Sequence, residues 1–584
     1  MGAFTLIAGR PTPERERLEG RQSAAMRSQG YVAPERLDFD DGVLFVYPKQ
    51  VSQTTSIRSF GAGEFIAVCG TFFYRASTGA EGLTQIFRDF SVSDSAEKNF
   101  DPLPAPLYGT YICIVRKNGR LYIFSDRLGL YKAYISDTSV ISSSFLATVA
   151  CTTSLRPNAQ AIFEYVFQGA TYGDETVIEN VRLLNPDRGL MISQGRVDQG
   201  RRPPLAPPVI ERLSLDDHVD RVGHVLDRVF DDCVEAFRGR VDTALSGGYD
   251  SRLILAHLLA RDVRPNVHVY GMEQDTDVRV AKQIARAEGF HLAHIDKSQY
   301  QSARGRDELA EIVDRNFHAF DGIPADGIFD AGADLATRRE RAGKGVIALN
   351  GGGGEIFRNF FYLPDFPFSA GQLVWTFYSQ FDPRAFGAGY QPSEYQQRMR
   401  EKIEAVLGIS GRRLTRGEVE RVYPAFRCRY WMGRNSSINN KLGLMHTPLV
   451  EPALVEVAGT VPVGQKNGGR LAARLIRRVS KRLANYDSAY GYSFGEDPPF
   501  SAVLQEKMTL YRPPIVRQWT FRVKSALRRN DFDQRRATAA RFDFLFPGGL
   551  SSVAQFLRTE YVVEPAQFNR MRTLEYFFQR LGGS

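Results

Sequence analysis

VDTALSGGYDSRLILAHLL, Val241 to Leu259, decides the fold. Val241 to Leu245 is a short apolar run of strand type, and Leu253, Ile254, His257 and Leu258 recur at helical spacing behind it. Between them lies SGGYDS, Ser246 to Ser251, at the point where a buried strand hands over to a helix. Gly247 and Gly248 have no Cβ, so their backbone can pass close to phosphate oxygens while the helix start points free N–H groups at them. Ser246 and Ser251 add hydroxyl donors. Asp250 would repel phosphate unless a cation stood between them, which makes it a candidate Mg²⁺ ligand.

Working outward, strand and helix signals alternate: Val241 to Leu245, a helix from Asp250, Val267 to Tyr270, a helix from Asp277, His291 to Ile295, and Val346 to Leu349. Such alternation predicts a parallel sheet covered by helices, with ligands beyond the carboxyl ends of the strands. A second glycine run, NGGGGE from Asn350 to Glu355, follows the last of these strands. Four consecutive glycines are entropically costly, so something must approach this backbone closely. Pyrophosphate or a metal-bridged phosphate fits, with Glu355 as a second carboxylate opposite Asp250.

Upstream, Val219, Val222, Leu226, Phe230, Cys233 and Phe237 share one helical face, and Ser214 with Asp217 forms a capping box at its start. RRPPLAPP, Arg201 to Pro208, cannot form a helix or a central strand and marks a domain boundary. Residues 1 to 200 before it are dominated by strand signals: Phe65 to Tyr74, Tyr108 to Arg116, Leu121 to Ser125 and Ala133 to Ser144. From about residue 370 the pattern is mainly helical. Near the end, Arg517, Arg522, Lys524, Arg528, Arg529, Arg535, Arg536 and Arg541 form a basic stretch, read as a solvated face or as a contact surface for an acidic substrate or partner.

At 584 residues the chain is too long for one ordinary core. Its 43% hydrophobic and 24% charged residues describe a globular protein, and its net charge of +9 allows polyphosphate without demanding nucleic acid. Five scattered cysteines without CxxC spacing point to reduced, buried thiols, and no apolar stretch is long enough to span a bilayer. A cytoplasmic location is expected. The histidines suggest no metal cluster.

SGGYDS, VHVYG ending at Gly271, DTDVRVAKQIARAEG from Asp275 and NGGGGE together resemble the synthetase domain of the asparagine synthetase superfamily. GRNSSINNKLGLMHTPLVEPALVEVAGTVP from Gly433 resembles its later helical stretch, and VCGTFFYR at Val68 with SDRLGLYKAYI at Ser125 resemble its glutamine amidohydrolase domain. The resemblance implies an α/β fold in three parts. Residues 1–200 would form a strand-rich, Ntn-hydrolase-like (αββα) domain with a degenerate glutaminase. Residues 209–500 would form a parallel-sheet ATP-pyrophosphatase domain, and 501–584 a helical extension.

In that family ATP adenylates a carboxylate, and an amine then displaces AMP to give an amide. Carried over, Ser246, Gly247, Gly248, Asp250 and Ser251 would hold pyrophosphate and Mg²⁺. Gly271 and Asp277 would lie near adenosine, Leu245, Gly351, Gly352 and Gly353 would complete the ATP site, and Asp250 and Glu355 would be the metal ligands. The family's glutaminase nucleophile, a cysteine after the initiator methionine, is replaced by Gly2. Its glutamine-gripping Asn-Gly-Glu is Cys69, Gly70 and Thr71. The loop position that supplies a base in the family is Gly352, and its phosphate-steadying lysine has three candidate replacements, Lys466, Arg470 and Arg474.

These features lead to the expectation of an AMP-forming carboxylate–amine ligase, of macrolactam or β-lactam synthetase type, that makes no ammonia from glutamine. Free ammonia as the amine, and a nucleotide-binding pseudoenzyme, are the alternatives. A sulfur-transfer or nucleic-acid-modifying enzyme is disfavoured because no cysteine lies beside either glycine loop. Expected partners are a small-molecule or peptide carboxylate with its own amine, and a pathway protease or carrier. Neither nucleic acid nor membrane is expected, and oligomerisation stays open.

Overall fold

The computed structural model describes residues 1–53, 56–92, 100, 102–203, 205, 209–301, 304–343, 345–527, 540–562 and 564–582. Part of the proline segment (204 and 206–208) and the basic residues Arg528, Arg529, Arg535 and Arg536 lie outside the described residues.

The N-terminal strands form two antiparallel sheets of six strands each. Leu6, Leu44 and Val46 of one sheet interlock with Ala67, Cys69, Ile112 and Ile123 of the other in a dry layer. The outer faces are covered by the helix Gly79–Asp89 on one side and the helices Pro13–Ser28 and Phe145–Ala150 on the other. The result is four layers, helix, sheet, sheet and helix. Glu64–Tyr74 reads as a near-continuous apolar run rather than an alternating one because both of its faces are buried.

Two local expectations change. The run from Ala133 to Ser144 is divided into Tyr134–Ser136 and Val140–Ser142 by a turn in which Ser139 adopts φ +60°. The helix Pro13–Ser28 has no counterpart in the hydrophobic pattern: its buried positions, Arg15, Leu18, Gln22 and Met26, keep helical spacing, but two of the four are polar.

The alternating region forms a parallel five-stranded sheet: β1 (Val241–Ala244), β2 (Asn266–Tyr270), β3 (Leu292–Ile295), β4 (Ile347–Leu349) and β5 (Leu444–His446). Its order is β3-β2-β1-β4-β5, with β1 hydrogen-bonded to β2 on one side and β4 on the other. The chain therefore reverses its winding between β1 and β4, and at such a switch point the connections diverge and leave a crevice at the carboxyl ends. The helix Leu215–Phe237 buries Val219, Val222, Leu226, Phe230, Cys233 and Phe237, and the Ser214–Asp217 capping box is formed as expected.

The antiparallel layers and the parallel sheet are tied by buried polar contacts. Asn440 Oδ1 accepts from Thr71 Oγ1 at 2.6 Å, the Met445 amide donates to the same hydroxyl at 2.9 Å, and Glu451 accepts from the Gly109 amide at 2.9 Å. No helix among the described residues is long and apolar enough to cross a membrane.

Candidate functional site

The two glycine loops sit side by side at the switch point, SGGYDS after β1 and NGGGGE after β4. Leu245 is buried beneath the first loop. Ser251 Oγ accepts from the Ser246 amide at 3.0 Å and lies 3.1 Å from Ser246 Oγ, which takes the Gly248 amide at 3.2 Å. The two serines thus fix the turn from within. Gly248 caps the helix Tyr249–Leu259, placing Asp250 in its first turn.

Asp277 accepts from the Gly247 amide at 2.7 Å, so this carboxylate lies against the first loop. Gly271 ends β2 with φ +139°, where a Cβ would come 2.7 Å from Asp275 Oδ2.

The glycine run of the second loop answers to close protein packing. A Cβ on Gly351 would lie 3.2 Å from Asp250 Cβ, one on Gly352 2.8 Å from Met432 Sδ, and one on Gly354 2.3 Å from Asp250 Oδ1. Gly353 combines φ +88° with a Cβ position 2.0 Å from Val450 Cγ1. Gly353→Ala is therefore expected to destabilise the fold by about 2 kcal/mol or more, measured by denaturant unfolding, because strain and overlap add.

Between the loops stands a side chain that the motifs did not announce. Arg358 Nη2 donates to Asp250 Oδ2 at 2.7 Å and lies 3.5 Å from Glu355 Oε1, so one guanidinium nitrogen serves both candidate metal carboxylates. Burial pushes the Asp250 carboxyl up to about 7; Arg358 opposes this and the Glu355 charge adds to it. Tyr423 donates to Glu355 Oε2 at 2.5 Å, and Tyr490 accepts from Arg358 Nη1 at 3.3 Å. The signal for Arg358 was its place three residues after Glu355, a spacing at which opposite charges meet on a helical turn.

Of the three candidate cations, Lys466 is the one the fold brings to this cluster. Its ammonium is buried, 3.2 Å from Glu420, and burial lowers its pKa. With Glu355, Glu420 and Tyr423 it lines a cavity of about 40 Å³, room for water and little more. Arg470 is exposed at the start of the helix Arg470–Val479, and Arg474 points to Asp216 at 3.3 Å.

A larger cavity of about 290 Å³ opens at the sheet, floored by Ala244, Ala348 and Leu349 and walled by Asn350, Lys297, Arg338 and Arg341. Asp334 binds Lys297 at 2.9 Å and Arg338 at 2.8 Å, which leaves a net positive lining. Those two arginines lie on the helix Ala333–Arg341, remote in sequence from either loop.

Gly2, Cys69 and Thr71 are closely packed. A Cβ on Gly2 would lie 2.7 Å from Lys49 Cα and 2.9 Å from the Lys441 carbonyl oxygen. Thr71 is committed to Asn440 and Met445, and the buried Cys69 thiol, its pKa raised by burial, donates to Tyr131 at 3.0 Å. All five cysteines are free and buried.

No family model matches the chain, and no curated protein does. Among solved structures it is similar to glutamine phosphoribosylpyrophosphate (PRPP) amidotransferase from B. subtilis complexed with ADP and GMP, at 12% identity and a TM-score of 0.21. That match covers 50% of this chain and 65% of the other, so the chain spans less than two thirds of that enzyme. A second, described as the allosteric regulatory enzyme of purine biosynthesis, matches at 11% identity and a TM-score of 0.21, covering 51% of this chain and 80% of the other.

Proposed function

We propose that the chain is an ATP-dependent, AMP-forming carboxylate–amine ligase of asparagine-synthetase type, with a strand-rich Ntn-hydrolase-like part that does not hydrolyse glutamine. The observation that carries this reading is the meeting of Asp250 and Glu355 across one positive charge at the β1/β4 switch point. Mg²⁺ takes oxygen ligands, and these two carboxylates already face a shared cation, so the donor set fits such an ion. Asp250 and Glu355 would hold it, and bound there it would neutralise phosphate charge.

The roles of the chain's own residues follow from their places. The hydroxyls of Ser246 and Ser251 and the amides at the start of the helix Tyr249–Leu259 would hold pyrophosphate. The cavity bordered by Ala244, Asn350, Arg338 and Arg341 would take the nucleotide or the carboxylate being activated. Lys466, which lines the same small cavity as Glu355, would stabilise charge on the transferring phosphate. The amine would come from the substrate or from free ammonia, since Gly2 supplies no nucleophile and Thr71 is committed to Asn440 and Met445.

A second reading, a nucleotide-binding protein without ligase turnover, is favoured by two contacts: Arg358 between the carboxylates, and Asp277 on the Gly247 amide. Calorimetric titration with ATP in the presence of Mg²⁺, followed by analysis of the products, tests both. Saturable binding with slow release of AMP and pyrophosphate is expected. Binding without AMP would favour the second reading, and no binding at millimolar ATP would reject both.

A further inference from the structure

The polar side chains lining the cavity over β1 and β4 can give hydrogen bonds but have few acceptors left to offer. Three cations reach it, Lys297, Arg338 and Arg341, against one acid, Asp334. Both oxygens of that acid are engaged: Lys297 Nζ donates to Oδ1 at 2.9 Å and Arg338 Nε to Oδ2 at 2.8 Å. The asparagines of the wall are turned the same way. Arg338 donates to Asn439 Oδ1 at 2.7 Å and to Asn435 Oδ1 at 3.4 Å, and the Gly352 amide donates to Asn350 Oδ1 at 2.8 Å. A guanidinium or a backbone amide can only donate, so these contacts fix which end of each carboxamide is the oxygen. Every Nδ2 group is thereby left as a donor, and none of them meets an acceptor among the described residues.

Arg341 is the cation of this wall that no carboxylate of the described residues pairs. Its Nη1 donates to His268 Nε2 at 3.2 Å and its Nε to the Thr337 carbonyl at 3.4 Å, while His268 Nδ1 faces Asp242 Oδ1 at 3.3 Å. Those neighbours aim the guanidinium, whose charge centre lies 5.4 Å from the Tyr270 ring, and its Nη2 finds no acceptor among the described residues. The small side chains of Ala244 and Ala348 leave room beneath it, and the volume of about 290 Å³ is near the lower end of the range for small-molecule sites. Water answers unpaired donors, but only an anion also answers the charge. A base or a sugar brings donors of its own, which this wall has little to receive. An ionised carboxylate or phosphate group brings acceptors in the number the wall requires.

We infer that this cavity binds the oxyanion of a small ligand, a carboxylate or phosphate group, and that Arg341 takes its charge while Asn350, Asn435 and Asn439 supply neutral donors. The ligand's place in a reaction rests on the ligase reading, but the sign of its charge does not.

Calorimetric titration of the full-length chain tests it, with inorganic phosphate in one arm and succinate in the other, at an ionic strength held constant with chloride and without Mg²⁺ or nucleotide. Saturable binding at millimolar concentration is expected in at least one arm, and the tighter arm identifies the group as phosphate or carboxylate. Arg341→Met should weaken that binding at least about ten-fold, because a charge-assisted contact is lost. Asn439→Asp serves if that variant does not fold: it keeps the acceptor for Arg338, puts a carboxylate oxygen where the wall offers a donor, and should weaken binding to a similar degree. Two results would overturn the inference: neither anion binding the wild type, or a folded variant binding as tightly as the wild type, which would put the anion elsewhere, as at the first glycine loop. A chain that binds succinate or phosphate in this way and fails to bind Mg·ATP would remove the ligase reading and leave the oxyanion site standing.

Discussion

Asp250→Asn should abolish measurable Mg·ATP binding, and its stability relative to the wild type should rise as pH increases from about 4 to about 7. The two effects share one cause. Burial and the neighbouring Glu355 raise the Asp250 carboxyl from 3.8 to about 7, against the pull of Arg358. Between those values the folded state holds a proton that the unfolded state has released, so stability falls as pH rises through this window. Below about pH 4 both states are protonated, and the cost of the charge disappears. Asparagine keeps the shape and removes the charge, so its advantage should grow from pH 4 to pH 7 and level off above. Arg358 retains Glu355 in the variant, which limits the disturbance. Urea unfolding at pH 5 and pH 8, set beside calorimetric titration with Mg·ATP, checks both halves. A variant whose stability relative to the wild type does not rise between pH 5 and pH 8, or that still binds Mg·ATP as tightly, would overturn this account of Asp250.

A carboxylate kept in an environment that disfavours its charge is common where a protein binds a cation or does chemistry, and less so where it only builds a fold. The same logic separates what the sequence made legible from what it did not. The parallel sheet could be read because β1, β2 and β4 are short runs carrying the β-branched residues Val, Thr or Ile, each closed by a glycine turn. The adjacency of the two loops followed from that sheet, since only neighbouring strand tips at a switch point place Asp250 against the second glycine run. Tyr423 and the cationic wall of Arg338 and Arg341 were hidden because each reaches the site through tertiary packing. The four glycines announce a close approach, and in the fold Asp250, Met432 and Val450 make it. Glycine reports a close approach without identifying what approaches. The helix Pro13–Ser28 escaped notice for a related reason, because Arg15 and Gln22 occupy inward positions that an apolar pattern counts as outward.

Asp321→Asn should lower the unfolding free energy by about 3–5 kcal/mol at pH 7, the largest loss expected from a one-residue change away from the loops. Asp321 lies after the helix Arg306–Ala319 and joins the antiparallel layers to the rest of the chain. Its carboxylate accepts from Ser144 Oγ at 2.7 Å and from the amides of Phe145 and Leu146 at 2.7 and 3.0 Å, at the start of the helix Phe145–Ala150. Lys441 Nζ reaches it at 2.8 Å, and Arg434 lies 3.7 Å away. Burial alone would raise its pKa, but Lys441, Arg434 and the amide donors more than offset that, and the carboxyl is held below its ordinary range. Asparagine tolerates the left-handed backbone at this position, φ +57°, so the substitution isolates the charge from backbone strain. What remains is a buried Lys441 without its counter-ion, and that uncompensated charge is the source of the loss. Because the folded pKa is depressed, the stabilisation is present above pH 4 and is lost as pH falls through the folded value, so the two proteins should converge in acid. Adding Lys441→Met should recover part of the loss, as removal of both charges is less costly than stranding one. A single variant within 1 kcal/mol of wild type, or a double variant worse than the sum of its parts, would show that the junction is held by apolar packing alone.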